Sequence, residues 1–172
     1  MALVFTSMLG PARATTLQKL ELDEIIRVST AIVRAKVVGS AGAVRWQDIY
    51  TFYQLQVLED FRSAGRRQVE VAVPGGAAQG QHQLVAGAPQ LTPGEEYIFF
   101  LWTSPSGLTQ VIGLSQGLFR VEPDADGNPV VGRGAVSDLM LDRSGRVVGD
   151  RAVSMRLTEL RTRIRSVRLG GK

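Results

Sequence analysis

The sequence has no cysteine and a single histidine among its 172 residues. Without thiols there can be no disulfide framework, no thiolate metal site and no thiol nucleophile. His82, with neither a second histidine nor a cysteine to join it, cannot build a standard zinc site from imidazole and thiolate. No phosphate-cradling glycine loop is present, and there is neither an internal repeat nor a low-complexity block. Apart from the first residues, no apolar run approaches the ~20 residues that a helical membrane span needs. These absences imply no metal and no cofactor, and the sequence reads as that of a non-enzyme.

Three short strings imitate catalytic or metal-binding motifs. Gly113-Leu114-Ser115-Gln116-Gly117 fits the G-x-S-x-G pattern that would make Ser115 a hydrolase nucleophile. That elbow joins a strand to a helix and takes its histidine from later in the chain. Here the extended run LFRV follows, and His82 comes earlier, so the hydrolase is a disfavoured alternative. Asp124, Asp126 and Asn128 imitate the start of a calcium loop, but Pro129 and Ala135 stand where that loop needs Gly and a bidentate Glu. Glu95 and Glu96 are adjacent, so in a strand they face opposite sides and cannot form a catalytic carboxylate pair.

The charge that is present is unevenly placed. Residues 1–150 carry 13 Lys/Arg against 15 Asp/Glu, whereas residues 151–172 carry seven against one, so the overall charge of +4 belongs to the C-terminal tail. At the other end, ALVFTSMLG is apolar, Gly10-Pro11 breaks it, and Ala12-Arg13-Ala14 has the small-x-small form of a signal-peptidase site. The expectation is export, with residues 1–14 a signal-peptide remnant cleaved between Ala14 and Thr15, and an extracytoplasmic mature chain.

LQKLELDEIIRVST spaces Leu17, Leu20, Ile25 and Val28 as one face of a short amphipathic helix. From Ala31 the period changes to two: Val33, Ala35 and Val37 point one way, Arg34 and Lys36 the other, as in a sheet with one wet side. Tyr53, Leu55 and Val57 repeat the pattern, as do Val69, Val71 and Val73. YIFFLW, residues 97–102, is apolar on both faces and reads as a central, doubly covered strand. Gly113 and Gly117 suit a bend, and DADGNP and DRSG suit turns. The chain ends in a helix with Ser154 as N-cap and Leu157, Leu160, Ile164 and Val167 as its apolar stripe.

The fold class expected is mainly β: a small closed or nearly closed OB-like β-barrel with a short N-terminal helix and a C-terminal helix, a sandwich being the competitor. The barrel spans residues 15–121. Residues 122–172 form a β-hairpin extension and the basic helix. The barrel interior includes Val33, Ala35, Val37, Tyr53, Leu55, Val57, Val71, Phe99 and Leu101.

VRAKVV after a short helix, followed by IYTFYQLQVLEDF, VEVAVP and GEEYIFFLW, resembles the netrin-like module of the tissue inhibitors of metalloproteinases. It looks closer still to uncharacterised exported bacterial proteins with the same succession of segments. The resemblance covers residues 15–121 and implies a five-stranded OB-fold barrel. In those inhibitors the mature N-terminal residue chelates a protease zinc beside a loop joined to it by a disulfide. The matching positions are Thr15 and Thr16, with Gly75, Gly76 and Ala77 in the loop, and both cysteines of the family are missing here.

Two functional readings therefore lead: an exported binding module, and a metalloprotease inhibitor acting through its mature N-terminus. For the module, Arg34, Lys36, Trp46 and Tyr50 are the best basic and aromatic combination, and the partner expected is another protein. A solvated strand face is the plain alternative for the charged pair. Export argues against nucleic acid. The basic tail offers a membrane surface as a further partner, against which stands packing of its stripe on the barrel.

Overall fold

A computed structural model describes residues 16–62, 64–136 and 138–170. The short elements at the start are β1 (Thr16–Gln18) and α1 (Leu22–Val28). The strands β2 (Ala31–Arg45), β3 (Asp48–Asp60) and β4 (Gln68–Pro74) form a meander, and β5 (Gly76–Ala78) and β6 (Gln81–Gln83) a small hairpin. Then come β7 (Glu96–Thr103), β8 (Thr109–Val111), β9 (Leu118–Pro123) and β10 (Pro129–Arg133). The chain closes with β11 (Leu139–Leu141), β12 (Val147–Val148), β13 (Val153–Arg156) and α2 (Leu157–Leu169).

The fold is mainly β with two helices. The principal sheet runs β13-β10-β9-β7-β2-β3-β4, with β8 paired to the far end of β7. Every pairing in it is antiparallel. The expected barrel closure is not there: β4 packs near β8, but no ladder joins them. The reason is local. β8 is only three residues long, and the turn over residues 112–117 then carries the chain across to β9, away from β4. The sheet grows outward through β9, β10 and β13 instead of curling back. Residues beyond 121 thus add two strands to this sheet and the helix that covers it.

One face of the sheet is the concave interior. Ala31, Val33, Ala35, Val37, Leu55, Val71, Val73, Phe99 and Leu101 form a single buried cluster there, with Tyr53 and Val57 packed against it. The nine residues assigned to an interior by alternation all belong to this group. The other face is covered where the helices lie: Ile32, Ile98, Phe100 and Phe119 meet Leu22, Ile25 and Ile26 of α1 and Leu157, Leu160 and Ile164 of α2. β7 is therefore sandwiched, and Tyr97 through Leu101 are all buried. At ~25 cal/mol per Å² of apolar surface removed from water, these two clusters are the main source of stability. The tail helix is anchored to the protein body, with Arg161 gripping Glu59 at 2.8 and 2.7 Å and Arg163 reaching Asp23 at 2.7 Å.

Three local expectations differ from the structure. The first helix begins at Leu22 rather than near Leu17, because Leu17 pairs with Met140 in a parallel ladder between β1 and β11. Val28 is half exposed instead of lying on the buried stripe. Ser154 pairs with Gly132 inside β13, and the helix starts at Leu157, without a side-chain cap.

Candidate binding face

The answer to where Arg34 and Lys36 point is divided. The outer face of β2 is dry at Ile32, where the helices cover it, and opens to solvent toward Lys36. Arg34 sits at the boundary. It is half-buried and donates to Glu96 of β7 through Nε at 2.9 Å and Nη2 at 2.6 Å. Lys36 is exposed and stands opposite Gln56 on one side and Glu96 on the other. Arg34 is therefore committed to a structural pair. The adjacent carboxylate, Glu95, accepts from the Tyr97 hydroxyl at 2.7 Å and pairs with Arg120, so the two glutamates serve different neighbours.

Trp46 and Tyr50 lie at the other end of the hairpin. Lys36 and Arg45 are nine positions apart, about 30 Å along a strand at the usual rise. The four basic and aromatic candidates are thus not one cluster. At the far end, the register places Gly39, Ala41, Ala43 and Arg45 of β2 beside Gln54, Phe52, Tyr50 and Asp48 of β3, and Ala72 and Pro74 of β4 beside Phe52 and Tyr50. The slip between Val37 and Gly39 resets the phase of β2, bringing Gly39, Ala41 and Ala43 onto the outer face. The small side chains leave the aromatic rings standing proud of a shelf.

Tyr50 and Phe52 are half-buried, with ring centres 6.3 Å apart and planes tilted by 46°. The guanidinium carbon of Arg45 lies 6.0 Å from the Phe52 ring centre, within the range of a cation–π contact. Trp46, at the hairpin tip, is 70% exposed and held at φ 58°, a backbone region that disfavours residues with a Cβ. Arg45, Trp46 and Phe52 line a cavity of about 380 Å³ together with Arg66, Glu70 and the turn between β7 and β8. Alternation along β3 already implied that Phe52 shares a face with Tyr50. Arg45 and Arg66 left no mark in the sequence, because their place at this site depends on the β2 register and on the fold of the β3–β4 connection.

The concave side of the hairpin is sealed by β5 and β6. Gly75 and Gly76 adopt φ of 93° and 120°, which carry the chain back across the arm. Gly76 fits against the Thr51 hydroxyl, and Gly42 leaves room for the Ala77 carbonyl. Ala77 itself is exposed. Thr16 belongs to another sheet, paired with Leu139. Thr15, Ala12 and Ala14 lie outside the described residues.

Ser115 lines a cavity of about 690 Å³ on the concave side of β9, β10 and β13, along with Tyr97, Arg120 and Ser154. It occupies a turn that leads into strand β9, and Gln116 beside it is fully buried, donating to the Gln18 carbonyl and accepting from the Leu20 amide. The GLSQG string thus ties the start of the chain to the sheet. His82 sits on β6 opposite Ala77. In DADGN, the Asp124 carboxylate accepts from the amides of Asp126 and Asn128, which hold it below the usual carboxylate range and close a turn. Compared with known proteins, the chain matches no family model, no curated protein and no solved structure.

Proposed function

We propose that this chain is a non-enzymatic binding module that works outside the cytoplasm and takes another protein on the outer face of the β2–β3 hairpin. The observation that carries the reading is the set of exposed Arg45 and Trp46 beside half-buried Tyr50 and Phe52 on a shelf of glycine and alanine. Trp, Tyr and Arg are the residues that dominate protein–protein hot spots, because large rigid side chains gain contact area at small cost in conformational entropy. A tryptophan left 70% exposed at a strained turn gives the fold itself little, so its benefit is sought in a complex. The concave core cluster and the β5–β6 hairpin supply rigidity behind the face, in the manner of an OB-like scaffold with one seam left open. Export rests on the apolar run before Ala12-Arg13-Ala14, and intact mass of the secreted full-length chain checks cleavage after Ala14.

A photo-crosslinking phenylalanine analogue at Tyr50 tests the face in cells that export the chain. The expected product is an adduct of this chain with one second polypeptide, lost when Arg45 and Trp46 are both changed to alanine while the unfolding midpoint is kept. Equal adduct yield from that double variant would remove the hairpin face from the proposal.

A further inference from the structure

Away from the hairpin tip, where β3 ends, three arginines converge on one short segment. Asp60, whose side chain is 6% exposed, accepts from the Arg62 amide at 2.9 Å, from the Arg66 amide at 3.3 Å and from Arg66 Nη1 at 3.2 Å. Arg168, near the end of α2, reaches across to donate to the Phe61 carbonyl at 2.9 Å. Arg62 extends Nη1 to the Thr30 carbonyl at 3.4 Å, and its Nε is buried with no hydrogen-bond partner among the described residues.

The charge around this segment does not balance. Asp60 is shared by two amides and Arg66, and the neighbouring Glu59 is held by Arg161 in a two-pronged pair. Three guanidiniums are thus left with one carboxylate among them. Arg62 registers the strain: burial, then the charges of Arg168 and Arg66, lower its pKa from the ordinary value. Like charges held this close cost folding energy unless an anion joins them.

We propose that Arg62, Arg66 and Arg168 form a binding site for a phosphate group, either free or presented by a lipid headgroup. Guanidinium groups supply planar, paired donors that match phosphate oxygens, and a doubly charged oxyanion answers the uncompensated positive charge better than a single carboxylate. The buried stripe of α2 excludes insertion of that helix into a bilayer while it stays packed, so a lipid source would be met at headgroup level only. The site shares Arg66 with the cavity beside the hairpin face, but Arg62 and Arg168 do not line that cavity, so their glutamine variants report on the phosphate site alone.

The test is thermal unfolding of the full chain in chloride, acetate or inorganic phosphate at matched ionic strength. Phosphate binding only the folded state should give a saturable rise of roughly 3–6 °C beyond chloride and acetate. Arg62→Gln and Arg168→Gln should each abolish it, while Arg143→Gln, which removes an exposed arginine paired to Glu24, should leave it intact. Flotation with phosphatidylcholine vesicles, with and without phosphatidic acid, separates the sources. Capture by the acidic vesicles that is lost in Arg168→Gln assigns the site to a headgroup, and a phosphate response without capture assigns it to free phosphate. No rise specific to phosphate, an equal rise in acetate, or an undiminished rise in both glutamine variants overturns the proposal.

Discussion

Arg133 of β10 grips Asp150 with both terminal nitrogens, one of them at 3.2 Å, while its guanidinium carbon lies 5.8 Å from the ring centre of Phe119. Their side chains are only 9% and 3% exposed. Burial alone would push the Asp150 carboxyl up, but hydrogen bonds from Arg133 and from the amides of Val136 and Arg151 bring it down to about 2.

A carboxylate depressed in the folded state stabilises the protein above its unfolded value, and that contribution fades as pH falls through its folded value. The pair should therefore lose its contribution between about pH 4 and pH 2. Asp150→Asn would leave Arg133 buried and unanswered, at a cost of about 3 kcal/mol near neutrality. Urea unfolding as a function of pH checks both points: the variant should start lower and show a shallower acid decline than the parent. Parallel curves would show that the pair does not govern acid stability.

Val37 and Arg34 mark the two sides of β2. Val37 is 1% exposed in the concave core, so Val37→Asp buries an unpaired carboxylate and should leave the chain unfolded by circular dichroism. Arg34→Ala removes one half-exposed pair with Glu96 and should cost no more than about 1 kcal/mol. Comparable damage from the two changes would invalidate the assigned faces.

Gly42 tests how closely the β5–β6 hairpin is laid on the arm. A Cβ there would stand 1.8 Å from the Ala77 carbonyl oxygen, so backbone must move. Gly42→Ala should lower stability by about 2 kcal/mol and increase amide exchange across residues 76–83. Unchanged exchange would mean the hairpin packs more loosely than described.

Trp46 separates folding from binding. Its positive φ costs an L-residue about 1 kcal/mol that glycine avoids, partly offset by glycine's greater freedom when unfolded. Trp46→Gly should keep or modestly raise the unfolding midpoint while losing the adduct formed from position 50. A clear drop in the midpoint would instead make Trp46 a structural residue.

Much of the face was legible from alternation, since Tyr50 and Phe52 share a phase that Tyr53, Leu55 and Val57 oppose. The grouping of Arg34 and Lys36 with Trp46 was not. Those residues look close in sequence, but an extended strand spreads them over tens of ångströms.

The sequence by itself determined the side-chain environments that repeat locally. The interior phase of β2 and β3, the two-sided burial of YIFFL, though not of Trp102, and the apolar stripe of α2 follow from periods of 2 and 3.6 residues, which depend only on backbone geometry. Tertiary structure alone decided which edges meet. Leu17 left the helical pattern to pair with Met140, β4 and β8 stayed unjoined, and Arg62 and Arg168, 106 positions apart, came together at one segment. Pairings of this kind depend on turn geometry and on partners far along the chain, so no local period records them.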